Sequence, residues 1–233
     1  MCTSINEIAL KPFNPSLYAF TFDDYAYPIE EWVRWHVGIL GYDAYILFVG
    51  EKTEKMKAIE EKYDKLHVWY VKKKREMRFI DYRAYYKYLA QLTAPQGLKV
   101  MLDLDEFIPY KIQAYPFEDR YVGLIKPLIV YRGIVYEDEG KMIGRNPMRR
   151  IHTNYTPVLG DGAEVMGEIN QNLPILPVLH LQFKNCYEIT RKSWLWKTKG
   201  NDYCGSIDDL HLKQISFAYD PRLKEIIKGL PAN

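Results

Sequence analysis

Three acids stand within four residues in Asp103-Leu104-Asp105-Glu106, directly after the apolar run Leu98 to Leu102 (LKVML). On an extended segment, side chains two apart project to the same side, so the carboxylates of Asp103 and Asp105 are expected to share a face. Carboxylates held together repel unless a cation neutralises them. Oxygen ligands of this kind suit Mg²⁺ or Mn²⁺, which keep several waters and share coordination with substrate phosphates. The same D-x-D-E also suits a solvated strand-to-loop turn. A second group lies in the β-prone run Leu176 to Asn185 (LPVLHLQFKN), where His180 and Lys184, four apart, fall on one side of a strand. His180 offers a neutral imidazole to a metal and Lys184 a charge to a phosphate; the bland alternative is a half-buried strand histidine and a surface lysine.

Further candidates sit where apolar runs end. Phe22, Asp23 and Asp24 close LYAFTF, Gly50-Glu51 follows AYILFV, and Lys72-Lys73-Lys74-Arg75 follows LHVWYV. The basic run reads equally as a solvated loop, whereas Arg78 opens a helix near the same edge and suits a pyrophosphate or acceptor contact. Gly160-Asp161-Gly162-Ala163-Glu164 is a flexible acidic loop that offers Asp161 or Glu164 as a general base, or is a plain turn.

These residues need elements to position them. Ile29, Trp32, Val33, His36, Ile39 and Leu40 mark one helix face after Pro28, and Gly41 supplies the stop. The apolar runs 17–22, 44–49, 66–71 and 98–102 read as strands, 44–49 as one buried on both faces, with helices at 53–63 and around Phe79, Tyr82, Tyr86 and Leu89. Strict β-α alternation predicts a doubly wound, mostly parallel α/β sheet with helices on both faces. In such sheets ligands bind outside the carboxyl ends of the strands, which is where the acids cluster. Beyond residue 110 prolines and glycines cut the chain into short pieces of α+β texture, and Pro221 to Leu230 reads as a short amphipathic helix. No linker or repeat divides the chain. It is read as one domain, 1–233: a nucleotide-binding half (17–110), an acceptor and metal-completing half (111–220) and a C-terminal helix (221–233).

Of 233 residues 48% are hydrophobic and 27% charged, the balance of a soluble globular protein. A formal charge of +2, from 32 basic and 30 acidic residues, argues against nucleic acid as a partner. Cys2, Cys186 and Cys204 form no C-x-x-C pair, which speaks against a disulfide framework or a cysteine zinc site and for a reducing compartment. The first residues lack the pattern of a signal peptide and no apolar run is long enough to span a bilayer, so a cytoplasmic location is expected.

Four segments in order resemble a known group. Asp23 to His36 (DDYAYPIEEWVRWH) looks like the "EW…H…G" opening of the family 2-like and family 92-like glycosyltransferases, and Gly41 to Ile46 is similar to their entry into the second strand. Lys99 to Ile108 (KVMLDLDEFI) resembles their D-x-D-E-F segment. Further on, Lys141 to Pro147 leads to Ile151-His152, and His180 to Lys192 resembles the closing motif of the pattern. The resemblance implies a GT-A fold and transfer of a sugar, with inversion, from a nucleotide-diphosphate sugar to an acceptor hydroxyl on a glycan, protein or lipid. By position, Asp105 would be the main metal ligand and Asp103 would contact the ribose or share the metal. His180 would complete a Mn²⁺ or Mg²⁺ site, and Lys184 would meet the diphosphate. The chain departs from the pattern at Gly50-Glu51-Lys52-Thr53, where members carry an Asp-Asp-x-Ser turn, and at Leu181, where they carry Tyr. A lipid acceptor would be met from the aqueous side, through a peripheral contact of the basic cluster. A nucleotidyltransferase releasing pyrophosphate, and a non-catalytic sugar- or nucleotide-binding module, remain the alternatives.

Overall fold

The computed structural model describes residues 10–12, 14–22, 29–77, 81–82, 85–86, 89, 99–116, 123–131, 134–138, 149–152, 176–183, 212–214 and 220–228. The expected parallel strands are present as β2 (Ser16–Phe22), β3 (Asp43–Val49), β4 (Leu66–Val71) and β5 (Lys99–Met101), preceded by a short β1 (Leu10–Pro12). They lie in the order β5-β2-β3-β4, with Leu17 opposite both Ala44 and Val100, and Ala44 opposite Leu66. Strand alternation then assigns the apolar side chains to two faces. Leu17, Ala19, Ala44, Ile46, Phe48, Leu66 and Val100 share one core with Trp32, Val33, Met56 and Ile59. Tyr18, Phe22, Leu47, Val49 and Met101 share another with Tyr82 and Tyr86 of the helical residues in 81–89. Helices therefore cover both faces, which is why the strand sequences are near-continuous apolar runs.

The first helix differs from the expected uniform α-helix. After α1 (Ile29–Val33) the turn widens into a π-helical stretch, Arg34–Ile39, in which the Leu40 N–H reaches back five residues to the Trp35 carbonyl at 2.9 Å. The wider turn carries Trp35, His36 and Val37 into the core together. Gly41, at φ +72°, ends it in the left-handed conformation that favours glycine. The second helix, α2 (Glu54–Lys62), begins where expected because the Thr53 hydroxyl accepts the Met56 N–H at 3.2 Å.

Beyond β5 the chain is more regular than its prolines suggest. It adds β6 (Glu106–Phe107), β7 (Ala114–Pro116), β8 (Gly123–Tyr131), β9 (Ile134–Asp138), β10 (Arg149–His152), β11 (Leu176–Phe183) and β12 (Leu212–Gln214). All but β7, which pairs with β1, join the same ten-stranded sheet. That sheet is mixed rather than mostly parallel: β10 pairs antiparallel with β5 and β8, β9 with β8 and β12, and β11 with β6, while β11 runs parallel to β8. Only two residues separate β8 from β9, too few for a parallel crossover. Pro127 is tolerated inside β8 because it falls between Gly123–Ile125, paired with β10, and Ile129–Tyr131, paired with β9. The last element, α3 (Pro221–Lys228), is capped by Asp220, whose carboxylate accepts the Arg222 N–H at 2.9 Å. Among the described residues no helix is long and apolar enough to cross a membrane.

Candidate functional site

In the order β5-β2-β3-β4 the chain moves outward from β2 through β3 to β4, then returns to the other side of β2 as β5. The connections reverse between β2 and β5, and the crevice at their carboxyl ends is where a doubly wound sheet takes its ligand. The β5 strand ends at Met101 opposite Tyr18, the Leu102 N–H reaches the Tyr18 carbonyl at 2.9 Å, and β2 runs on to Phe22. Residues 103–106 leave the sheet there.

They leave as a closed turn, which corrects the extended reading of Asp103-Leu104-Asp105. The Glu106 N–H donates to the Asp103 carbonyl at 3.0 Å, and the Asp103 N–H donates to the Glu106 carboxylate at 2.8 Å. Two-residue alternation therefore does not govern where Asp103 and Asp105 point. Glu106, 1% exposed, holds the turn shut.

From that turn Asp105 meets His180. Its Oδ2 lies 3.2 Å from the imidazole Nε2, and both side chains are buried. The β6–β11 pairing brings them together, with His180 opposite Glu106 and the Leu181 N–H bonded to the Asp105 carbonyl at 2.7 Å. With Nε2–H donating to the carboxylate, Nδ1 carries the lone pair; it is buried and has no hydrogen-bond partner among the described residues. Within β11 the register shifts: His180 pairs with Ile129 but Phe183 with Tyr131, so the strand carries an extra residue between them.

Three ring nitrogens from the first helix hold the segment from its other edge. The Trp32 Nε1–H donates to the Glu106 carbonyl at 3.1 Å, the Trp35 Nε1–H to the Ile108 carbonyl at 2.7 Å, and the Ile108 N–H to His36 Nε2 at 3.1 Å. His36 can accept because its Nδ1–H donates to the Trp32 carbonyl at 3.0 Å, which fixes the tautomer. Burial drives the His36 pKa down to about 3, against a smaller opposing effect of that carbonyl, so the ring is neutral. Further on, the Ile112 N–H donates to the Tyr42 hydroxyl at 3.2 Å, and burial pushes that phenol up to about 12. Trp32, Val33 and His36 were legible as an inner helix face. The hydrogen-bonding role, and Trp35 and Tyr42 with it, was not; the available clue was ring N–H groups on a buried face, which must find acceptors.

The other expected residues are distributed as follows. Phe22 is buried in the second core, edge-on to Tyr82 at 5.5 Å between centroids, with Lys73 Nζ 6.0 Å from its ring. Glu51 is exposed just past β3, and Lys72 to Arg75 are exposed just past β4. The Tyr82 hydroxyl bonds both the N–H and the carbonyl of Lys74, which anchors that basic segment. Asp23, Asp24, Arg78, Asp161, Glu164 and Lys184 lie outside the described residues. Among the described residues no group of three or more His, Cys, Asp or Glu is arranged to hold a metal ion.

No family model and no curated protein matches the sequence. Among solved structures the chain is similar to a transferase determined as a mutant with two cysteine-to-serine changes. The identity is 13%, the likeness covers 54% of this chain and 73% of that one, and the TM-score is 0.35. At this distance the function rests on the site itself.

Proposed function

We propose that the chain is a metal-dependent, inverting glycosyltransferase of GT-A type that moves a sugar from a nucleotide-diphosphate donor to an acceptor hydroxyl. The observation that carries this reading is the buried Asp105–His180 pair at the carboxyl ends of β2 and β5. One carboxylate oxygen and one imidazole nitrogen stand 3.2 Å apart, close to the spacing of about 3 Å between adjacent ligands of an octahedral cation with bonds of about 2.1 Å. With a cation on Nε2 the ring proton moves to Nδ1, which is buried and has no hydrogen-bond partner among the described residues, so the site also favours taking up a further polar group there. Two protein ligands suffice for Mg²⁺ or Mn²⁺, which take the rest of their shell from water and substrate phosphate.

In this reading Asp105 and His180 hold the cation, which when bound offsets the charge developing on the departing nucleoside diphosphate. Asp103 contacts the donor ribose or shares the metal, and Lys184 and Arg78 meet the diphosphate. Phe22 at the end of β2, Asp23 and Asp24 next in sequence, and Glu51 after β3 border the nucleotide. Inversion needs a carboxylate opposite the leaving group to take the proton of the acceptor hydroxyl, a role assigned to Asp161 or Glu164. The test is Asp105→Asn. It should lose Mn²⁺ binding and Mn²⁺-stimulated donor turnover at least a hundredfold while its melting curve stays cooperative; unchanged Mn²⁺ affinity and rate would refute the assignment.

A further inference from the structure

The three ring nitrogens on the 106–108 segment follow a pattern that goes beyond packing. In a β-strand the N–H and C=O of one residue point to one edge and those of the next residue to the other. The Asp105 carbonyl is bonded to Leu181 of β11, and Phe107 stands opposite Leu179 of the same strand. Glu106 and Ile108 turn their main-chain groups the other way, where a neighbouring strand would ordinarily pair with them. That place is taken by Trp32, Trp35 and His36: two N–H donors for the carbonyls of Glu106 and Ile108, and one ring acceptor for the Ile108 N–H. The rings are packed as a unit, His36 lying 4.4 Å from Trp32 and 5.4 Å from Phe107 between centroids.

We infer that Trp32, Trp35 and His36 form a side-chain substitute for a β-strand, which fixes the register of β6 and so positions the Asp105 carboxylate against His180. The consequence for chemistry rests on the metal-dependent reading above; the positional role does not. Register is the quantity at stake, because a slip of one residue exchanges the two edges of a strand. Two residues of β6 pairing with β11 are few to resist such a slip. Three additional bonds on the opposite edge, all buried, oppose it at Glu106 and Ile108, one residue and three residues from Asp105. A simple core histidine would need one partner for each nitrogen. Here the nitrogens bond the helix backbone and the site-bearing segment, which couples the two elements. The π-helical turn supports the same arrangement, since Trp35 and His36 both lie within it and both reach Ile108.

The experiment uses the full metal-free chain labelled with ¹⁵N and follows the His180 Nε2–H resonance, assigned by its loss in His180→Gln. In the wild type this proton, hydrogen-bonded to Asp105, should exchange slowly. His36→Phe keeps a buried ring but removes both nitrogens, and Trp35→Phe removes one donor; each should speed exchange of that proton at least tenfold while the amide signals of β2, β3 and β4 stay in place. His36→Gln, whose side-chain carbonyl accepts the Ile108 N–H, should recover most of the protection. Should His36→Phe fail to fold, Trp35→Phe carries the test. Equal exchange in the wild type, His36→Phe and Trp35→Phe would overturn the inference. Mn²⁺ titration separates it from the functional reading: a tenfold loss of affinity in His36→Phe, recovered in His36→Gln, supports both. A wild type that binds no Mn²⁺ but shows the same exchange pattern supports the positional role and refutes the metal.

Discussion

Asp105 and His180, 75 residues apart in the chain, meet at 3.2 Å in a buried hydrogen-bonding geometry at the carboxyl end of the parallel sheet. Two pieces of backbone bring this about: the turn closed by Glu106 and the short β6–β11 ladder that seats His180 opposite Glu106. Neither residue reaches the other through its own strand alone.

The pair should therefore behave as one energetic unit. Asp105→Asn and His180→Gln, each measured by urea unfolding, should destabilise by about 1–3 kcal/mol because each leaves a buried partner poorly matched. The double variant should fall short of the sum by at least about 0.5 kcal/mol. Strict additivity would mean that the two side chains do not interact in solution.

His36 makes stability depend on pH with a definite sign. Folded, its pKa is lowered to about 3 by burial; unfolded, it returns to about 6.5. Between those values the unfolded chain binds a proton that the folded chain does not, so this contribution is complete above pH 6.5 and is lost as pH falls towards 3. From pH 6.5 to 4.5 the loss is on the order of 2 kcal/mol. Unfolding free energies of the wild type and His36→Gln, taken at several pH values, should converge by that amount as pH falls. Parallel curves would place His36 in a solvated site where it titrates alike in the folded and unfolded chain.

Gly38 sets how closely the first helix approaches Tyr63. A Cβ there would lie 2.8 Å from the Tyr63 Cε1, inside contact distance of a ring with no slack along its bonds. Gly38→Ala gives up a glycine in a helical turn, a gain of up to about 1 kcal/mol, but must displace the ring at a cost of about 1–3 kcal/mol. The net result should be a lower melting temperature. Gly38→Ala combined with Tyr63→Leu should recover most of the loss; a stabilised Gly38→Ala protein would show that the ring yields freely.

How far the sequence revealed this follows from what each segment buries. Strands such as Asp43–Val49 carry apolar side chains on both faces, so a continuous run identifies them without any partner being known. The strands beyond residue 110 include the longest, β8 and β11, but they pair across long separations, as between β10 and β5, and Pro127 in β8 reads as a breaker until it is seen in the gap between the β10 and β9 pairings, opposite Val178 of β11. Within the site, Asp105 was legible as a candidate from its type and the strand it follows, and His180 from its type and the β-prone run that carries it. Their partnership was not, since it depends on the turn at Asp103–Glu106 and on the pairing of β6 with β11. Trp32 and His36 were read as apolar-face residues; their hydrogen bonds to Glu106 and Ile108 connect segments more than 70 positions apart.

The most direct test of the metal-dependent reading is a thermal-shift titration of the wild type and Asp105→Asn with UDP, GDP, CMP, ADP and their sugar conjugates, each with and without Mn²⁺. A ligand that binds only the folded state raises the melting temperature by mass action. A metal-dependent site on Asp105 requires a rise with at least one nucleoside diphosphate or its sugar that needs Mn²⁺ and disappears in Asp105→Asn. No Mn²⁺-dependent shift with any nucleotide, or an equal shift in the variant, would contradict it.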